Sequence, residues 1–179
     1  CLGRGSMGVY KLNNPEDLVF YSRGVSNPIF QEFIPGEEYS VDVLADRNGN
    51  ALSIVPRLRV GVESGISVKS LTVFDADIIE QCKRIIKKLK VFGPACIQCI
   101  KNDRGIFFIE INLRFGGGSV LSMRADKSMI PNLLRLICDE KPIQSSGFTN
   151  GLMMMRHYSE TYVHKDMITQ KSHQSSEDI

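Results

Sequence analysis

Residues 106–119 read Ile-Phe-Phe-Ile-Glu-Ile-Asn-Leu-Arg-Phe-Gly-Gly-Gly-Ser, and no other stretch constrains the fold as much. A second apolar run, 95–101, lies just upstream, and Asp103-Arg104-Gly105 separates the two. Runs so spaced form a β-hairpin, here with a three-residue loop whose glycine takes the left-handed conformation. Strand side chains alternate, so Phe107, Ile109 and Ile111 are expected on one face and Phe108, Glu110 and Asn112 on the other. That loop length sets Gln98 directly opposite Glu110.

Gln98, Glu110 and Asn112 would then converge on one side of the hairpin. Three oxygen-bearing groups suit a hard cation such as Mg²⁺, but one carboxylate and two amides are too little for an all-protein cage. The set makes sense if a ligand supplies negative charge, which Arg114 just beyond could also clamp. Spacing leaves a second reading open, in which these groups bond neighbouring strands or solvent.

The bulk numbers narrow the ligand class. In 179 residues, 22 Lys+Arg nearly balance 20 Asp+Glu, with a formal net charge of +2 and no basic block. Nucleic acid and anionic membrane are therefore not expected partners, and a small-molecule site is. No apolar run approaches the roughly 20 residues that span a bilayer, which leads to an expectation of a cytoplasmic protein. The five cysteines are odd in number and mostly in apolar surroundings, as reduced core thiols would be.

The remaining pattern is α+β. Asn14-Pro15-Glu16-Asp17 starts a two-turn helix that Gly24 stops, after a glycine loop and a brief strand. Residues 29–34, 38–45 and 51–57 read as strands of an antiparallel meander. From Asp75 to Val91, Ile78, Ile79, Cys82, Ile85, Ile86 and Leu89 share one helical face, and Gly93-Pro94 ends that helix. A second helix carries Met129, Leu133, Leu134, Leu136 and Ile137, and 152–158 is a candidate last strand.

Four further motifs stand out. Gly3-Arg4-Gly5-Ser6-Met7-Gly8 has the spacing of a phosphate-wrapping glycine loop, although a helix does not follow it; a plain turn is the other reading. Gln31-Glu32-Phe33-Ile34-Pro35-Gly36-Glu37-Glu38-Tyr39 is an extended crossing that could offer backbone groups to a heterocycle, with Glu38 placed for ribose hydroxyls, or simply a hairpin corner. Pro56 to Ser70, with Arg57, Arg59 and Lys69 among glycines and serines, reads as a mobile loop, either anion-facing or an ordinary surface loop. Cys96 and Cys99 are three apart on a strand and point to opposite faces, which argues against a metal or redox pair.

Taken in order, the glycine loop, the crossing, the Arg/Lys segment, the helix and the Gln98…Glu110-Ile-Asn112-Leu-Arg114-Phe-Gly-Gly-Gly hairpin resemble the ATP-grasp superfamily. The resemblance is closest to the ATP-grasp domain of carbamoyl phosphate synthase large subunits and their stand-alone relatives, over about residues 3–142. It implies a mostly antiparallel sheet with packed helices, incomplete at the N-terminus because the family's upstream Lys-Pro pair precedes the first residue here. Residues 1–34 would be the remainder of the small lobe, 35–160 the large lobe and 161–179 a polar tail. By motif, Gly5, Ser6 and Gly8 would cover phosphates, Gln31, Glu32, Phe33 and Ile34 would hold adenine, and Glu38 the ribose. Gln98, Glu110 and Asn112 would hold Mg²⁺, or Mn²⁺ in its place, while Lys69 and Arg114 would act on the transferring phosphate. The implied activity is ATP-dependent formation of an acyl phosphate from a small carboxylate, which an amine then attacks; a non-catalytic nucleotide-binding or assembly module is the alternative. A second copy or an upstream domain of the parent protein would be the macromolecular partner.

Overall fold

The computed structural model describes residues 8–25, 27–63 and 65–165. Its centre is an antiparallel sheet of six strands: β1 (Glu37–Ala45), β2 (Ala51–Glu63), β3 (Ile66–Thr72), β4 (Gly93–Asn102), β5 (Gly105–Asn112) and β6 (Met153–Met155). Their order across the sheet is β5-β4-β1-β2-β3-β6. Four helices accompany it: α1 (Pro15–Ser22), α2 (Ala76–Leu89), α3 (Val120–Ala125) and α4 (Met129–Ile137). The mostly antiparallel α+β expectation is met.

Local chemistry explains the best-formed helix. The Asp75 carboxylate caps α2 by accepting from the Ile78 N–H at 3.1 Å, Lys87 and Lys88 occupy the last turn, and Lys90 ends it in the left-handed conformation at φ 50°. Gly93 does not stop this helix; it opens β4 instead. The apolar stripe of α2 buries Ile78, Cys82 and Ile86 against Tyr39, Val41, Val43, Ile97 and Cys99. Each fully buried isoleucine there contributes about 1.5–3 kcal/mol.

The opposite sheet face is divided. Leu44 and Val55 lie under Ala125, Met129 and Leu136 of α3 and α4, forming a second core. Alternation carries the same face along β1 through Asp42 and Ser40 to Glu38, and along β4 through Cys96 to Gln98. This far half is polar, and the helices do not cover Glu38 or Glu110, both exposed.

Several expectations change. Residues 29–34 form no strand, and neither do 9–12 after the glycine loop. Pro28 and Pro35 flank the first segment and supply no N–H to a ladder, and Ile29 and Phe30 remain largely exposed. Pro56–Ser70 is not a mobile loop but most of the β2–β3 hairpin. Arg57, which makes the segment look solvent-facing, is 1% exposed because Asp42 sits beside it. The last strand is shorter than 152–158, and the polar tail expected from 161 lies mostly outside the described residues.

Candidate functional site

The β4–β5 hairpin brings the proposed cation ligands together. Gln98 pairs with Glu110 and Cys96 with Asn112 across the ladder. Gln98 Nε2 donates to Glu110 Oε1 at 2.5 Å, and Asn112 Nδ2 donates to the same oxygen at 2.8 Å. The route differs from the expected one. Asn102 pairs with Gly105, so the loop has two residues, Asp103 and Arg104, and the ladder then carries an extra residue, Ile109, between Phe108 and Glu110. This β-bulge also changes the faces: Ile106, Phe108 and Ile111 pack on the α2 core, while Ile109 is 46% exposed.

Sheet order adds a residue whose segment was expected to be a loop. Strand β1 lies between β4 and β2, and Arg59 of β2 reaches across it. Its Nη1 donates to Gln98 Oε1 at 3.2 Å and lies 3.1 Å from Glu38 Oε2. Nε donates to Ser67 Oγ at 3.2 Å and Nη2 to the Gly65 carbonyl at 3.0 Å. Arg59 thus joins Glu38, the expected ribose residue, to Gln98. The available signal was alternation: Arg57 and Arg59 flank Leu58 and precede Val60, a strand pattern.

A buried network fixes the segment after β5. Arg57 Nε donates to Asp42 Oδ2 at 2.7 Å, and Ser119 and Ser122 hydroxyls donate to the two Asp42 oxygens at 2.5 Å each. Two of the three glycines follow from this packing: a Cβ on Gly116 would come 2.9 Å from Cys96 Sγ, and one on Gly118 would come 2.5 Å from Arg57 Nη1. Packing accounts for them, whatever else they touch. Arg114 is exposed and its Nη1 donates to the Phe115 carbonyl at 3.0 Å, leaving most of its fork facing solvent.

The other expected site residues are less gathered. Gly5 and Ser6 lie outside the described residues; Gly8 is exposed with φ +76°. In the crossing, Gln31 is exposed, Glu32 pairs with Arg104 at 2.9 Å, Phe33 lies under Lys11 Nζ at 4.0 Å, and Ile34 is half-buried. Asn102 Nδ2 donates to the Pro35 carbonyl at 2.7 Å, which ties the crossing to the β4–β5 turn. The structure does not bring Lys69 to the cluster. It pairs with Gly61 next to two ladder irregularities, and makes no hydrogen bond or ion pair among the described residues. Cys96 and Cys99 do face opposite sides, and burial pushes each thiol up to about 12, which keeps both as thiols rather than thiolates at neutral pH.

The donor set fits a hard cation that brings oxygen ligands of its own. Glu110 supplies charge, and turning the Asn112 amide would direct its oxygen inward; Gln98, whose Oε1 accepts from Arg59 while its Nε2 donates to Glu110, would have to leave both partners to do the same. No group of three or more His, Cys, Asp or Glu suited to a metal occurs among the described residues, so a cation here depends on its ligand. No helix among them is long and apolar enough to cross a membrane.

Comparisons with known proteins bear on the family and the fold. Residues 25–159 match the family model described as ATP-grasp in the biosynthetic pathway with Ter operon. The carbamoyl phosphate synthase large chain of Clostridium beijerinckii is 29% identical over 124 residues, covering 62% of this chain and 12% of that protein. Among solved structures, the phosphoribosylaminoimidazole carboxylase ATPase subunit from Aquifex aeolicus matches with a TM-score of 0.53 at 20% identity, over 64% of this chain and 38% of that one. The biotin carboxylase–β-γ-ATP complex from Campylobacter jejuni matches with a TM-score of 0.54 at 14% identity, over 69% and 30% respectively. At such identities the structures speak for the fold. This chain spans well under half the length of each of these proteins.

Proposed function

We propose, from the premise that this chain belongs to the ATP-grasp family, that it is the ATP- and Mg²⁺-binding part of a carboxylate-amine ligase of the carbamoyl phosphate synthase kind. The observation that carries this reading is the convergence of Gln98, Glu110 and Asn112 on one polar sheet face, joined through Arg59 to Glu38. Residues 1–34 would contribute the remainder of the small lobe and 35–160 the large lobe. The crossing at 31–34 would take the adenine and Glu38 the ribose hydroxyls, 4 residues further along the chain.

Gln98, Glu110 and Asn112 would hold Mg²⁺, which when bound neutralises phosphate charge. Glu110 is the one anionic ligand of the three, so it sets the affinity for the cation. Arg114, beyond the strand end, is free to swing its guanidinium onto the terminal phosphoryl group and hold it in line with an incoming carboxylate. The phosphoryl group then moves to the carboxylate oxygen, giving an acyl phosphate and ADP; attack by an amine on the acyl carbon releases phosphate. The contribution of these side chains is positioning and charge neutralisation, without a protein nucleophile. The separation of Lys69 from the cluster favours a second reading, binding of nucleotide without turnover.

Calorimetric titration with Mg-ATP tests the site. Binding should require Mg²⁺ and fall at least about 10-fold in Glu110→Gln, the scale of a lost charged ligand. Binding that is indifferent to both would refute the assignment. ADP release that depends on an added carboxylate then separates the ligase from the binding module.

A further inference from the structure

We propose that Arg59 is a binding residue for the terminal phosphate of the nucleotide, an inference that rests on the reading of the site given above. Its side chain is only 10% exposed, whereas that of its partner Glu38 is 48% exposed. The guanidinium is held from behind, by Ser67 Oγ on Nε and the Gly65 carbonyl on Nη2, so that Nη1 points at Gln98. A guanidinium anchored in this way loses little freedom on binding a phosphate oxygen, which Nη1 would take in exchange for its present partners, Gln98 and Glu38.

Charge supplies the second step. Gln98, whose Oε1 accepts from Arg59 at 3.2 Å, is also a proposed cation-binding residue. A cation there would face the guanidinium across one neutral amide, with Glu38 beside Arg59 and Glu110 beside Gln98 as the anions present, and phosphate oxygens between the two positive groups would be stabilised by both. The terminal phosphate is the part of Mg-ATP with oxygens to spare for both. Glu38 is 48% exposed, so water compensates its carboxylate when it turns to the ribose, whereas the nearly buried guanidinium needs another anion in its place. Ser70, cross-strand from Arg59, is 0% exposed and its hydroxyl has no hydrogen-bond partner among the described residues. Arg57 cannot substitute, being 1% exposed and committed to Asp42.

The test is the ratio of affinities for Mg-ATP and Mg-ADP, measured by calorimetry on wild type, Arg59→Met and Arg59→Lys. Arg59→Met should weaken Mg-ATP about 10- to 100-fold, the range for a lost charge-assisted contact, while Mg-ADP changes little. Arg59→Lys, which keeps charge but not the fork, should fold normally and still lose most of the preference for ATP. Equal weakening of both nucleotides would make Arg59 a purely structural residue and overturn the proposal, as would unchanged Mg-ATP binding in Arg59→Lys. If wild type binds neither nucleotide, the reading of the whole site falls; if it binds both and the variants keep the wild-type ratio, only the role of Arg59 falls.

Discussion

Arg57→Met should be among the most damaging single changes in the chain. Methionine has a similar length and keeps the apolar contacts of the stem, so the perturbation is the loss of charge and donors. Asp42, 0% exposed, would keep the Ser119 and Ser122 hydroxyls at 2.5 Å but lose the guanidinium at 2.7 Å. Breaking a buried ion pair from one side costs about 3–5 kcal/mol because a charge stays behind unpaired. The two hydroxyl donors place this case near the lower end. Urea unfolding followed by circular dichroism reads it: at an m-value of about 1–3 kcal/mol/M, the midpoint should fall by roughly 1–3 M. Asp42→Asn in the Arg57→Met background removes the stranded charge and should recover about half the loss. A single variant within about 1 kcal/mol of wild type, the ordinary mutational scale, would refute the reasoning, and so would absence of recovery in the double variant.

Gly118→Ala places a methyl 2.5 Å from Arg57 Nη1; the guanidinium is buried and tied through Nε to Asp42, so moving it aside should cost about 1–3 kcal/mol by chemical denaturation, much reduced in the Arg57→Met background. Asp75→Ala removes the α2 cap and the Lys101 partner at 2.5 Å, costing about 1–2 kcal/mol by the same measurement. For Asp75, burial works against ionisation, but bonds from Lys101 and the Ile78 N–H outweigh it and lower its pKa. Its contribution is therefore full above the ordinary aspartate value of about 3.9 and is lost as pH falls through the lowered one, so Asp75→Ala and wild type should converge in stability at strongly acid pH. Of the four described cysteines, Cys138 is exposed and Cys82, Cys96 and Cys99 are buried with thiols pushed up to about 12; in a Cys1→Ser variant, native-state labelling with a disulfide reagent should modify one thiol at neutral pH.

What could be read from the sequence depended on how local its cause was. Helix α2 was legible because cap, stripe and basic last turn are all within 16 residues of one another. Gln98, Glu110 and Asn112 were legible because a short turn joins their strands. Arg57 and Arg59 misled because a buried arginine looks like a surface one until its partner is known, and Asp42 becomes that partner only when β1 pairs with β2. The link from Arg59 to Gln98 further requires β1 to lie between β2 and β4, a sheet order that hydropathy does not encode. Lys69 sat in a convincing anion-facing stretch, but the β2–β3 ladder shifts register on either side of the Gly61–Lys69 pair, so counting alternate residues along it does not place side chains.

The site hairpin carries the same lesson in a form that can be tested. A two-residue turn, one shorter than expected, and one extra residue, Ile109, offset each other, so Gln98 still faces Glu110. Without the bulge, the ladder from the turn would set Gln98 against Ile109 and turn Glu110 opposite Ile97, into the α2 core, where an unpaired carboxylate is costly. Ile109 itself has no cross-strand partner and is 46% exposed. Deleting it should therefore be tolerated, leaving a regular ladder in which Phe108 pairs with Cys99 and Glu110 with Gln98. The measurement is a double-mutant cycle of Gln98→Ala and Glu110→Ala by urea unfolding, run with and without Ile109. A coupling of the same sign in both backgrounds, within about 0.5 kcal/mol, is expected. Unfolding on deletion, or disappearance of the coupling, would mean that the bulge holds the two side chains together rather than merely absorbing a spare residue.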